Sequence, residues 1–73
     1  MAAEAFVEVS TAQPFWLLVV SEQARAGRAV CVKGVEFNYE RNLVADVARE
    51  HRMDLDSSAP GEIRLRPRAA APS

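Results

Sequence analysis

The order of hydrophobic and polar residues divides the chain into short segments, each typical of one kind of secondary structure. The first segment, residues 5–10, has apolar side chains on its odd positions, while Glu4 and Glu8 occupy the other parity. A period of two predicts a strand with one solvated face. Charge on that face is typical of a strand at the edge of a sheet, because it discourages pairing with another chain.

Residues 11–26 form the first predicted helix. Ser10 and Gln13 have the spacing of a capping box, with Thr11 as a second possible N-cap. The downstream half is rich in helix-forming residues and stops at Gly27, which is typical of a helix C-terminus.

The centre of this helix, residues 15–20, is apolar on all sides. Such a run fits a helix covered on several sides or a central strand, and the helix formers that follow favour the helix. We expect the core to cover this surface, Trp16 included. Contact with a partner is the alternative.

Residues 28–39 are strand-like and contain one change of phase. Val30 and Val32 place the apolar side chains on even positions before Gly34, whereas the apolar positions after it are odd. A glycine inside a strand commonly marks a bulge, and Lys-Gly can also form a two-residue hairpin turn. The segment is therefore a bulged strand, a tight hairpin, or a strand followed by a loop into the next helix.

The clearest element is a helix over residues 38–52, with Asn38 as its predicted N-cap. Its apolar positions recur at i, i+1, i+4, i+5 and i+8, which is a single stripe. They are Leu43, Val44, Val47, Ala48 and His51. Because His51 continues this stripe, we interpret it as a half-buried neighbour of the core.

The last third of the chain predicts one more strand. Residues 53–56 leave the helix and residues 57–61 form a turn. In residues 62–67, Ile63 and Leu65 point inward and the arginines point outward. Pro67 ends this strand or confines it to an edge.

These elements predict an α+β fold: a small two-layer sandwich in the order β-α-β(β)-α-β, with a short sheet and two helices. The bracketed strand is the optional one at Gly34. A chain of 73 residues allows one domain, which we assign to residues 1–68, with 69–73 as a flexible tail. The longest apolar run has six residues, so no membrane span is expected.

The composition offers little catalytic or metal-binding chemistry. One cysteine, Cys31, cannot form an internal disulfide, which fits a reducing cytoplasm. Asp54 and Asp56 resemble the start of a calcium loop, but the later glycine and carboxylate are missing, so we interpret them as part of a solvated turn. The three glycines are isolated. We expect no enzyme activity, no metal and no cofactor.

The net charge of −1 conceals an uneven distribution. Residues 1–24 hold only acidic charged side chains, and residues 63–73 hold only arginines. Period-two spacing places these arginines on one face, about 7 Å apart, where they can meet carboxylates or phosphates. Readers of single-stranded nucleic acid usually interleave aromatic residues with basic ones. No aromatic residue follows Tyr39 in the sequence, and this favours a protein partner over a nucleic acid.

The predicted partner-binding residues are the charged side chains of the first and last strands and the head of the second helix, where Tyr and Arg are typical of interface hot spots. They are Glu4, Glu8, Tyr39, Arg41, Arg64, Arg66 and Arg68. A molecule with one acidic and one basic end could bridge two surfaces of a partner, and we expect it to be monomeric when free.

Two resemblances bear on function. The β-α-β-α-β order, with GRAVCVKG as second strand and NLVADVAREHRM as second helix, is similar to Alba-type chromatin and RNA-binding proteins and to the C-terminal domain of bacterial translation initiation factor three. That resemblance implies a nucleic-acid-binding module.

The second resemblance concerns length, richness in Ala and Arg, and the ending EIRLRPRAAAPS. In these the chain resembles the small inhibitors of host RNA polymerase that lytic Xanthomonas phages encode. This resemblance implies binding to the β and β′ subunits, displacement of the σ factor and readthrough of terminators in the host cytoplasm. A protein-binding regulator of this type is the leading hypothesis, and the nucleic-acid module is the alternative.

Overall fold

Four strands and two helices make up the fold in the computed structural model, which describes residues 4–10 and 15–68. The elements are β1 (Ala5–Glu8), α1 (Trp16–Arg25), β2 (Val30–Lys33), α2 (Asn38–Glu50), β3 (Met53–Asp56) and β4 (Glu62–Pro67). The strands form one sheet in the order β1-β2-β4-β3. β1 and β2 are parallel, and β4 is antiparallel to β2 and β3. The predicted α+β class, with two helices on a short sheet, is confirmed.

The core lies between the sheet and the two helices. Strand register places Val7 beside Val32 and Val32 beside Ile63, with Val30 beside Leu65 in the next row. All five side chains are buried. Because alternate residues of a strand point to opposite faces, the remaining positions of these strands form a second face that neither helix covers.

The helix α1 begins at Trp16, with Phe15 in the N-cap position and no side chain capping it. The predicted capping box joined Ser10 to Gln13, and Gln13 belongs to residues 11–14, outside the described part of the chain. The predicted start of the helix at Thr11 lies outside it as well.

The C-terminus of α1 confirms the role predicted for Gly27. The N–H of Gly27 donates to the carbonyl of Ala24, and the N–H of Arg28 donates to the carbonyl of Gln23, both at 3.0 Å. This pair of bonds is the Schellman motif, which requires a left-handed residue after the C-cap. Gly27 supplies it with a φ of +75°.

Only part of the apolar surface of α1 reaches the core. Val20 and Ala24 are buried, and Trp16 packs against the core while staying partly accessible. Phe15 and Leu18 remain 67% and 60% exposed. The expectation that the core covers this helix is therefore met on one side only.

Gly34 marks the end of a strand, so the third of the three predicted alternatives is correct. β2 stops at Lys33, and a loop leads into α2. The phase changes because the chain leaves the sheet and buries Val35, whose N–H donates to the carbonyl of Gly61 at 3.0 Å. Gly34 has a φ of +80°, and a Cβ added there would lie 3.2 Å from the carbonyl oxygen of Val9.

The N-terminus of α2 corrects one prediction. The N-cap is Phe37, and Asn38 is already the first helical residue. One carboxylate oxygen of Glu40 accepts hydrogen bonds from the N–H groups of Glu36 and Phe37, at 2.8 and 3.0 Å. Because Glu40 binds the amides of this turn, the cap does not depend on Asn38. The predicted stripe is confirmed by the buried residues Val44, Val47 and Ala48.

The fourth strand lies at Met53–Asp56 and not at Gly34. Arg52, with a left-handed φ of 55°, turns the chain out of α2. β3 then pairs with β4, placing Asp56 opposite Arg64. The two aspartates therefore belong to a strand, and the prediction of a solvated turn there is wrong.

The strand β4 has the predicted bounds and the predicted inward residues, Ile63 and Leu65. It is nevertheless an interior strand, between β2 and β3. Pro67 therefore ends the strand and does not confine it to an edge. β1 does lie at an edge of the sheet, as its charge pattern predicts.

Candidate functional site

The sheet face opposite the helices, called the open face below, gathers most of the charged residues singled out in the sequence. Strand register places the even positions of β1, β3 and β4 and the odd positions of β2 on it. Its acidic members are Glu4, Glu8, Asp54, Asp56 and Glu62. Its basic members are Lys33, Arg64, Arg66 and Arg68. With five carboxylates and four cations, this face is nearly neutral and mixed in sign.

A buried thiol lies at the centre of the open face. Cys31 points to this side between Phe6 on β1 and Arg64 on β4, yet its neighbours cover it completely. Its Sγ donates to Oε1 of Glu62 at 2.9 Å. Burial raises the pKa of the Cys31 thiol, and the hydrogen bond and charge of Glu62 raise it further. A thiol held in the protonated form is a poor nucleophile.

Arg64 connects this centre to the acidic first strand. The charge of Glu4 is the largest cause of a raised pKa at Arg64, followed by that of Glu62. The Arg64 Nε lies 3.9 Å from Oε2 of Glu62, and its side chain is 41% accessible. This is a loose, solvent-screened pair, so Arg64 can exchange it for a partner's carboxylate at low cost.

The β1 side of the open face carries an aromatic contact. The ammonium group of Lys33 lies 5.1 Å from the ring centroid of Phe6, which is within the range of a cation–π interaction. Phe6 is 66% exposed all the same. Glu8 lies opposite Lys33 in register but forms no hydrogen bond or ion pair with another described residue.

On the β3 side, the carboxylates are already engaged. Nε of Arg68 donates to Oδ1 of Asp54 at 3.0 Å. Oδ1 of Asp56 accepts the N–H of Ser58 at 3.0 Å, and this hydrogen bond is the main cause of a lowered pKa at Asp56. Arg66 contributes to the same shift by its charge, but it makes no hydrogen bond or ion pair within the described residues.

The predicted partner-binding residues fall into two groups. The open face holds Glu4, Glu8, Arg64, Arg66 and Arg68. Tyr39 and Arg41 lie at the start of α2, in the other layer, where Tyr39 is 70% exposed.

The acidic and basic strands are not opposite ends of the molecule, because only β2 separates β1 from β4. The prediction of two opposed charged ends is therefore wrong.

The predicted partner-binding residues leave out these members of the open face: Phe6, Lys33, Asp54, Asp56 and Glu62. Phe6 shares the parity of Glu8 in β1, and Lys33 has the parity opposite to the buried Val30 and Val32 in β2, so the period of two could have assigned both to this face. Asp54 and Asp56 carry the same period, but they were assigned to a turn.

A second feature is a groove of about 390 Å³ at the carboxyl ends of β1 and β2. It is lined by Glu8, Val9, Ser10, Gly34, Glu36, Phe37 and Glu40. Its carboxylates make it acidic, but within the described residues no group of three potential ligands could hold a metal ion. Neither described helix has the length and apolar content needed to cross a membrane.

Comparison with known proteins adds no relative: no protein-family model matches the chain, and no curated protein matches it.

Proposed function

We propose that this chain is a non-enzymatic regulator that binds bacterial RNA polymerase, as do the phage inhibitors it resembles in length, composition and C-terminal sequence. It would occupy adjoining surfaces of the β and β′ subunits in the host cytoplasm. Occupancy there prevents binding of the σ factor and blocks initiation. The same occupancy during elongation promotes readthrough of terminators.

The observation that carries this proposal is the open face. It is an uncovered sheet surface on which carboxylates, guanidinium groups and an exposed phenyl ring lie side by side. Charges of both signs suit a protein surface that also carries both, because complementary pairs steer the encounter and fix the orientation of the complex. A single patch of this kind contacts two subunits only where they adjoin.

The same face is less suited to a phosphate backbone. Arg64 lies near Glu62, and Arg68 is paired with Asp54. Arg66 is the exception, since it makes no such pair within the described residues. A polyanion would have to displace these carboxylates or accept their repulsion, whereas nucleic-acid-binding surfaces present an excess of cations.

The nucleic-acid module remains the alternative, and one observation favours it. The β-α-β-α-β order of the Alba-type and initiation-factor-type modules recurs in the first five elements of the chain. This alternative predicts binding to RNA or DNA that weakens steeply with salt, in proportion to the number of phosphates neutralised.

The test is retention of purified bacterial RNA polymerase by the tagged, full-length chain at moderate salt, with and without σ factor. We expect the polymerase to be retained and σ to compete. Arg66→Glu should weaken retention about tenfold, because it reverses a charge on the open face that makes no ion pair with another described residue. Arg49→Glu is the matched control: it makes the same change at an exposed position of α2, in the helix layer.

If the wild-type chain retains no polymerase subunit, the polymerase proposal is lost. If Arg66→Glu and Arg49→Glu weaken retention equally, the open face is not the interface. A labelled single strand of RNA or DNA that the chain binds in low salt, and releases as salt rises, would support the alternative instead.

A further inference from the structure

The outer edge of β1 presents backbone groups that no other strand of the described residues pairs. The N–H of Ala5 donates to Ala29 and the N–H of Val9 donates to Lys33, both at 2.8 Å. The odd residues of β1 therefore direct their backbone groups toward β2. Because these groups alternate along a strand, the N–H and C=O of Phe6 and Glu8 point away from the sheet. No described strand lies beyond them.

The side chains beside this edge differ between its two faces. On the open face they are Glu4, Phe6 and Glu8, so an exposed phenyl ring lies between two carboxylates. On the helix face Val7 belongs to the core and Ala5 is half-buried. A strand added here would meet acid, ring and acid on one side, and small apolar groups on the other.

At the opposite edge of the sheet, β3, the carboxylates are already engaged within the molecule. The carboxylate of Asp54 is bound by Arg68, and that of Asp56 by the N–H of Ser58. At β1, by contrast, Glu8 has no hydrogen bond or ion pair within the described residues. The two edges therefore differ in whether their charges can accept a new partner.

We infer that the β1 edge accepts an extended, basic segment of the partner protein as a fifth strand of the sheet. This inference rests on the proposed function in that the partner is a protein. The segment would carry cationic side chains at i and i+4 and an apolar or aromatic one at i+2, opposite Glu4, Glu8 and Phe6. Small apolar side chains at i+1 and i+3 would extend the core. Backbone bonds supply affinity in such strand addition, and the alternating side chains supply specificity.

A second copy of this chain fits the same edge poorly. Two β1 strands paired antiparallel about Phe6 would place Glu4 of each chain opposite Glu8 of the other. Like charges directly opposite each other destabilise a strand pair. The carboxylates therefore oppose self-association while they attract a basic strand, which is how edge strands commonly avoid aggregation.

The test is a titration of the ¹⁵N-labelled full-length chain with the capped peptide Gly-Arg-Val-Phe-Val-Arg-Gly, followed by NMR. We expect the amide signals of Phe6 and Glu8 to shift and their hydrogen exchange to slow. A matched peptide with both Arg changed to Glu should bind at least about tenfold more weakly. Methylating the peptide nitrogens that face β1 should abolish binding, because it removes the backbone hydrogen bonds.

The double variant Glu4→Lys, Glu8→Lys should reverse this preference and bind the Glu peptide more tightly. Equal binding of the two peptides, or shifts confined to the exposed side of α1 around Leu18, would overturn the inference. So would β1 amide shifts that depend on protein concentration alone, since a second copy would then be the occupant. Protection of these amides that is lost when residues 69–73 are deleted would assign the edge to the chain's own tail and overturn it too.

The two proposals fail separately. Polymerase retained by a chain that does not bind the peptide leaves the proposed function intact and refutes the edge. Peptide binding without retention of polymerase supports the edge and refutes the proposed partner.

Discussion

Replacing Gly34 by alanine should destabilise the fold more than the same change at Gly27. Both glycines have a left-handed φ, of +80° and +75°, which costs an alanine about 1 kcal/mol. They differ in surroundings. A Cβ at Gly34 would lie 3.2 Å from the carbonyl oxygen of Val9, whereas one at Gly27 meets nothing within 4 Å. The comparison therefore isolates the contact between the loop after β2 and the end of β1.

The contact at Gly34 involves backbone, which cannot rotate out of the way, so the chain must shift by a few tenths of an ångström. Overpacking of this kind costs about 1 kcal/mol or more. We therefore expect Gly27→Ala to cost about 1 kcal/mol and Gly34→Ala about 2 kcal/mol. The reduced entropy of the unfolded chain affects both variants alike and cancels in the difference.

The assay is urea unfolding followed by the fluorescence of Trp16, the single tryptophan. In thermal unfolding, the same difference of about 1 kcal/mol corresponds to about 4–8 °C in Tm for a domain of this size. The urea dependence of the unfolding free energy should be the same in both variants, which shows that the midpoint reports stability. Equal losses, or a larger loss at Gly27, would refute the close approach between Gly34 and β1.

Three further predictions concern individual side chains. Glu40→Ala should cost about 1 kcal/mol in urea unfolding, because the N–H groups of Glu36 and Phe37 lose their acceptor; Glu50→Ala, at the exposed end of α2, is the control and should change little. The pKa of Asp56 is lowered in the folded state, so its stabilisation is present at neutral pH and is lost as pH falls through that pKa. Unfolding measured from pH 7 to pH 3 should therefore show a smaller acid-induced loss in Asp56→Asn than in wild type; parallel curves would contradict this. The pKa of Cys31 is raised, so its stabilisation is complete below the pKa of the unfolded state and is lost as pH rises through the folded value. Cys31 should react with a disulfide reagent at pH 8 far more slowly in folded than in urea-unfolded protein, and equal rates would show that the thiol is not covered.

Local pattern was enough to predict the helix stripe and the last strand. Residues 62–67 alternate strictly and follow a turn with Pro and Gly, so both bounds of β4 follow from the sequence. β3 has the same alternation, but it is four residues long and two of them are aspartates, which are depleted in strands. Its strand conformation depends on pairing with β4, and the residues of β3 alone do not predict that pairing.

The change of phase at Gly34 was detected correctly, but three conformations share that pattern. Tertiary contacts decide among them, since Val35 is buried beside the turn at Gly61. The order of the strands in the sheet likewise cannot be predicted from local sequence pattern. The spacing of Arg64 and Arg66 predicts that they share a face, but not that β4 lies inside the sheet and only one strand from the glutamates of β1.

The interior position of the last strand has a consequence for how the chain folds. In the sheet, β4 lies between β2 and β3, although it is the last described element along the chain. Until residues 62–67 are available, β2 and β3 share no neighbouring strand, and the inner edge of β2 stays without the strand that pairs with it. Folding must therefore await a long-range insertion, with the loop-closure entropy that this costs. A chain that ends before Glu62 would lose the pairing of β2 and of β3 with β4, and with it the place of β3 in the sheet, and not just its last strand.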